Sequence, residues 1–208
     1  MEIAFGVFGG LGLFLYGMNL MGMGLQKAAG ERLKKLIEVL TNNRLMGVLV
    51  GALVTMIIQS SSATTVMVIG FVNAGLMTLN QAVGVIMGAN VGTTITAQLI
   101  AFNLTDFAPI ALGVGVGIWL FTSRKSAKDF AEILIGFGLL FMGMDLMSNS
   151  LAPLSENPAF KSIMISLNDP FLGVLVGLGL TTIIQSSSAS IGLLQALARE
   201  GLISLNIA

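Results

Sequence analysis

Gln59-Ser60-Ser61-Ser62-Ala63-Thr64-Thr65 is a run of small hydrogen-bonding side chains inside an apolar segment, with Val48 to Ile58 before it and Val66 to Phe71 after it. It returns as Gln185-Ser186-Ser187-Ser188-Ala189-Ser190, preceded by Thr181-Thr182-Ile183-Ile184, at an offset of 126 residues. In hydrocarbon a hydroxyl or amide without a partner is costly. Each run should therefore face protein, water or a ligand, and two copies suggest two halves of one site. A lone Ser or Thr in a membrane helix usually just hydrogen-bonds to a neighbouring helix. That reading does not explain a whole polar run that occurs twice.

Composition sets the class. Mean hydropathy is +0.93, and only 10% of the residues are charged, against about 25% in a soluble domain. The apolar runs are long and do not alternate, which points to an all-α, polytopic membrane protein rather than a barrel. The 26 glycines suit close helix packing in lipid. A net charge of zero gives no reason to expect nucleic acid. The chain has no Cys and no His, which removes disulfides, thiolate and imidazole chemistry and the usual zinc sites. No Gly-Lys pair occurs, so there is no Walker A loop. Without a basic n-region, the first apolar stretch is expected to stay as a span rather than be cleaved.

Ile3 to Leu25 is that first span, striped by Gly6, Gly10, Gly17 and Gly24. Lys27 to Asn43 places Leu33, Leu36, Ile37 and Leu40 at helical spacing among charges, the pattern of an amphipathic surface helix. Leu45 to Ile58 has 14 apolar residues, short for a crossing. With Ala63 to Met77 it reads as a re-entrant helical hairpin tipped by the polar run. Gln81 to Phe102 carries Gly88-Ala89-Asn90-Val91-Gly92-Thr93-Thr94, which suggests a discontinuous helix. Asp106 and Pro109 mark a turn, Ile110 to Thr122 is a further span, and residues 123–129 read as a basic loop.

The pattern then restarts. Gly138, Gly143, Met144, Leu146 and Met147 match Gly12, Gly17, Met18, Leu20 and Met21, and the register holds without a gap to Ala82 and Ala208. Residues 1–125 are read as the first repeat and 126–208 as the second, incomplete at its C-terminal end. An odd number of crossings between repeat starts makes the repeats inverted. Residues 26–44 and 123–129 hold eight Lys and Arg, whereas the other side holds only Lys161 and Arg199. The basic side is therefore cytoplasmic and the N-terminus outside, in a multi-pass inner (cytoplasmic) membrane protein. Because the chain is cysteine-free, this can be tested cleanly. Cysteines placed at Lys35 and Ser126 should be labelled only from the cytoplasm, and one at Asn157 only from outside. Labelling of Lys35 and Asn157 from the same side would contradict the inverted arrangement.

Ser60 to Ser62 and Ser186 to Ser188 sit where helix N-caps sit. A helix N-terminus offers free N–H groups and the positive end of a dipole, which suits an anion. Seryl hydroxyls and the Gln59 and Gln185 amides add donors, while their oxygens and unwound carbonyls suit Na⁺. No Lys or Arg lies in either hairpin core, so a bound anion would be balanced by helix ends and co-bound cations. Asp145 is a further cation candidate, because a charge in a membrane segment is costly. Its repeat partner is Asn19, and the polar stretch from Ser148 reads as a loop.

The doubled Gln-Ser-Ser-Ser-Ala motif, with Gly88-Ala89-Asn90-Val91-Gly92-Thr93-Thr94 after its first copy, resembles the type II sodium-dependent phosphate cotransporter family, bacterial branch. The resemblance covers essentially the whole chain. It implies a secondary transporter that binds inorganic phosphate and Na⁺ between two inverted repeats, with Na⁺ as coupling ion and no other cofactor. Phosphate ligands would fall on Gln59, Ser60, Ser61, Ser62, Gln185, Ser186, Ser187 and Ser188. Sodium or phosphate roles would fall on Thr64, Asn90, Thr93, Thr94 and Ser190. The resemblance also implies a second Gly-Ala-Asn stretch and further spans past Ala208, in a continuation of the chain or in other chains.

Three rivals remain at this stage. One is sodium-coupled transport of another small oxyanion or solute. A second is a non-transporting membrane assembly subunit; association into a homo-oligomer is compatible with either. The third, an enzyme using a seryl nucleophile, lacks a base, since there is no His and no Lys near the runs.

Overall fold

The computed structural model describes residues 2–30, 43–102, 104–158, 160 and 169–203. The described residues are mostly helical. In chain order these are α1 (Glu2–Ala29), α2 (Arg44–Ile58), α3 (Ser61–Asn73), α4 (Leu79–Ala101), α5 (Ala108–Phe121), α6 (Lys125–Leu151), α7 (Pro170–Ile184) and α8 (Ser187–Arg199). Two 3₁₀ turns, Thr105–Phe107 and Ala152–Glu156, precede α5 and follow α6. Among the described residues, three helices are long and apolar enough to cross a membrane: α1, α4 and α6 with its 3₁₀ extension. Large apolar side chains face outward, as lipid contact requires; Ile183 is 83% exposed and Phe8 74%. Of the surface helix expected from Lys27 to Asn43, residues 27–29 instead complete α1, and residues 31–42 lie outside the described residues, as does most of 154–167.

The chain forms two compact units, one of residues 1–18, 100–112 and 136–208 and the other of 19–99 and 113–135. Each draws on both sequence repeats. In the first unit α1 and α6 pack antiparallel. A Cβ on Gly10 would meet Gly143 O at 2.6 Å, and one on Gly17 would meet Gly136 O at 2.7 Å. Only glycines allow backbones this close. The pairing has a particular symmetry, because Gly143 is the repeat partner of Gly17 and Gly136 that of Gly10. Phe14 is fully buried against Gly192 of α8, and Met144 and Met147 fill the core beside it. At the end of α8, Arg199 Nη2 donates to Ile100 O at 3.1 Å.

In the second unit α2 and α3 form a hairpin whose core is Val50, Val54, Ile58 and Val68, closed by Met77, Ala82 and Val85. α4 lies beside α2 and runs in the same direction: Gly84, Gly88 and Gly92 back onto the carbonyls of Arg44, Val48 and Ala52. α1 and α6 are joined here by an ion pair from Lys27 Nζ to Glu132, at 2.6 and 2.8 Å to the two carboxylate oxygens.

Three expectations change. α4 is one continuous helix from Leu79 to Ala101, not a discontinuous one. Its glycines recur every fourth residue on the face that meets α2, so they serve close packing rather than a break. Thr93 and Thr94 return their hydroxyls to the carbonyls of Ala89 and Val91, so both hydroxyls are satisfied within the helix. The basic stretch 123–129 is mostly helix, since α6 begins at Lys125; Lys128 Nζ sits 5.2 Å from the centre of the Trp119 ring. Ser148 is buried in α6 rather than in a loop, and donates to Glu200 Oε1 at 2.8 Å.

Candidate functional site

Each polar run is the tip of a helical hairpin, and the two tips share one local geometry. α2 ends at Gln59 (φ 59°, ψ 22°) and α7 at Gln185 (φ 58°, ψ 23°). These are the non-glycine residues with positive φ among the described residues, and a left-handed conformation is uncommon for a side chain of this kind. Each glutamine N–H closes the last turn, on Thr55 O at 2.7 Å and Thr181 O at 2.8 Å. Ser60 (φ −148°, ψ 106°) and Ser186 (φ −147°, ψ 112°) are then extended and cap the next helix. Their Oγ atoms accept from Ala63 N at 3.1 Å and Ala189 N at 3.3 Å. The caps are thus single residues, Ser60 and Ser186; Ser61, Ser62, Ser187 and Ser188 form the first turns of α3 and α8.

A relay of hydroxyls braces each tip. Thr55 Oγ1 donates to Thr64 Oγ1 at 2.9 Å, and Thr64 Oγ1 donates to Ser60 O at 3.1 Å. In the second hairpin Thr181 donates to Ser190 at 3.0 Å, and Ser190 to Ser186 O at 3.1 Å. Thr64 is fully buried and Ser190 is 5% exposed. Their hydroxyls are committed to holding the turn. Buried in this way, a satisfied network rigidifies and specifies a single conformation.

The glutamine amides face backward. Gln59 Nε2 donates to Met56 O, and Gln185 Nε2 to Thr182 O at 2.6 Å, which satisfies one orphan carbonyl at each helix end. Each amide keeps a second N–H. The first tip has two further supports that the sequence did not reveal. Thr96 Oγ1 of α4 donates to Gln59 Oε1 at 2.5 Å, and Gln26 Nε2 of α1 donates to Ile58 O at 2.9 Å. Thr96 follows Gly92 by one turn on the glycine face, and that spacing was its available signal. Asn90 and Thr94 are exposed and Thr93 half-buried; α4 meets the tip through Thr96 instead. Asp145 is exposed and accepts from Asn149 Nδ2 at 3.0 Å.

Chemically, each tip sets two unlike helix ends beside one another. The N–H groups of Ser61 and Ser62, and of Ser187 and Ser188, are those for which an α-helix has no internal acceptor. The preceding helix ends there with its carbonyls and the negative end of its dipole. One turn therefore presents anion-binding and cation-binding groups together. Among the described residues, no group of three or more acidic or imidazole side chains is placed to hold a metal ion.

Comparison with known proteins identifies a family. The profile of the Na+/Pi-cotransporter family matches residues 13–149 and again 142–208. YqeW of Bacillus subtilis, a protein described as uncharacterized, is 34% identical over 193 residues, covering 92% of this chain and 62% of that one. The putative inorganic phosphate export protein YjbB of Escherichia coli is 29% identical over 197 residues, or 94% of this chain and 36% of its own length. Sodium-dependent phosphate transport protein 2A of Rattus norvegicus is 32% identical over 114 residues, 52% of this chain and 18% of that protein. The chain thus spans less than two thirds of the length of these relatives. No solved structure matches. A doubled helix-tip site, an all-helical apolar fold and two matches to one transporter profile lead to one assignment: the chain belongs to the Na+/Pi-cotransporter family.

Proposed function

We propose that this chain is part of a secondary active transporter that moves inorganic phosphate by symport with Na⁺, and that both polar tips act on the same phosphate. The observation that carries the proposal is the matched pair of tips, with the same left-handed glutamine, seryl cap and hydroxyl relay twice over. Phosphate is held by Gln59, Ser60, Ser61 and Ser62 and by Gln185, Ser186, Ser187 and Ser188. Na⁺ takes the carbonyl ends of α2 and α7, with Asn90, Thr93 and Thr94 contributing to one ion or the other. Thr64 and Ser190 act through the turn they brace.

Inverted repeats are part of this reading. Their support is the antiparallel α1–α6 pair, in which Gly10 meets Gly143 and Gly17 meets Gly136, each contact being the repeat image of the other. Re-entrant hairpins find support in length. At 15 and 13 residues, the arms α2 and α3 reach about 22 and 20 Å, short of a core roughly 30 Å thick. Placement in the inner membrane with the N-terminus outside rests on the charge count.

A second reading, phosphate export, is favoured by the name of the Escherichia coli relative. It needs the same site, with the direction set by the gradients. Binding separates phosphate from other anions and tests coupling. Labelled phosphate should bind the purified chain more tightly as Na⁺ rises, Na⁺ more tightly as phosphate rises, and sulfate should compete poorly. Equal phosphate affinity in saturating Na⁺ and in choline would reject sodium coupling.

A further inference from the structure

The outer surface of the second unit holds a groove between α2 and α4 with an unusual distribution of charge. It encloses about 240 Å³ and is walled by Leu45, Val48, Val83 and Met87, with Gly84 at its floor. Arg44 and Asn80 lie at its mouth. α2 and α4 run in the same direction, with Gly84 against Arg44 and Gly88 against Val48, so the first turn of α2, capped by Asn43, lies beside the second turn of α4. The N-terminal dipole end of α2 and the Arg44 guanidinium therefore lie together at the groove. Arg44 is the sole charged side chain between residues 43 and 102, and no carboxylate among the described residues pairs with it. The walls below are apolar and face outward: Leu45 is 73% exposed, Met87 60% and Val83 50%.

We propose that this groove binds an anionic phospholipid, with the headgroup phosphate on Arg44 and Asn80 and an acyl chain along Leu45, Val48, Val83 and Met87. The two parts of such a ligand match the two parts of the groove. A free phosphate would use the mouth and leave the apolar walls unfilled. A zwitterionic lipid would fill the walls but gain less from the Arg44 guanidinium. An Arg near a membrane surface favours anionic lipid by about fivefold. The site lies apart from the polar tips, at the opposite ends of α2 and α3's neighbour α4 from Gln59 and Thr96.

The test is native mass spectrometry of the purified chain with short-chain phosphatidylglycerol, short-chain phosphatidylcholine or inorganic phosphate. Phosphatidylglycerol should be retained about fivefold over phosphatidylcholine, and inorganic phosphate should not displace it. Arg44→Gln should abolish the preference while leaving some lipid bound, and Met87→Trp, which fills the groove from an exposed position, should reduce retention of both lipids. Equal retention of the two lipids by the unmodified chain would overturn the proposal, as would an unchanged preference in Arg44→Gln. So would displacement of phosphatidylglycerol by inorganic phosphate, or by a second copy of the chain.

Discussion

Gln59→Gly and Gln185→Gly are each expected to leave their hairpin folded and to weaken phosphate binding about ten- to a hundredfold. The backbone sets the choice of substitution. Both residues sit at φ near 60°, where glycine pays no steric penalty and commonly ends helices. The turn should therefore survive, and the loss reports the amide alone. Losing a hydrogen bond to a charged group costs about 1.5–3 kcal/mol, which gives the stated range. Gln59→Val separates the two contributions. A β-branched residue in this conformation is strained by about 1–3 kcal/mol, so this variant should lose stability as well as affinity. Phosphate titration and thermal unfolding, run on the same preparations, read the two effects separately. Wild-type affinity in the folded Gln59→Gly variant would reduce its amide to a brace on Met56 O and Thr96.

The second large effect concerns packing. Gly88→Ala should destabilise the protein by about 1–3 kcal/mol or more, because the new methyl would overlap the backbone carbonyl of Val48. A backbone carbonyl cannot turn aside as a side-chain tip can, so α2 and α4 would have to separate. That would also move Thr96 from Gln59, and phosphate binding should weaken in step. Gly117→Ala in α5 meets nothing within 4 Å and should be neutral, or slightly stabilising through helix propensity worth up to about 1 kcal/mol. If both variants unfold at the same temperature as the parent, the close α2–α4 crossing is wrong.

These two cases also show what could be read from sequence. The doubled polar run marked both hairpin tips, because a cluster of hydroxyls in an apolar segment has few places to go. The hydroxyl relay was implicit too: Thr55 and Thr181, like Thr64 and Ser190, are separated by the repeat offset of 126. The left-handed glutamines were not legible, since glutamine has no intrinsic preference for that conformation and only the tight turn imposes it. Gly88 to Thr94 misled because glycines, an Asn and two Thr suggest a break when read locally. The wider spacing of Gly84, Gly88 and Gly92, one per turn, was the better signal, and it indicates a helix packed closely on a neighbour. Gln26 and the Ser148–Glu200 bond join residues far apart in the chain, and local pattern carries no trace of them, whereas Thr96 extends the glycine spacing by one more turn.

The central claim is that the two tips act on one phosphate. The most direct measurement is a double-mutant cycle by isothermal titration of phosphate in Na⁺ buffer, using the parent chain, Gln59→Gly, Gln185→Gly and the double variant. If both amides serve one ligand, the parent binds one phosphate per chain and the effects are non-additive, with a coupling of about 0.5–3 kcal/mol. Two phosphates per chain, or losses that simply add, would contradict it.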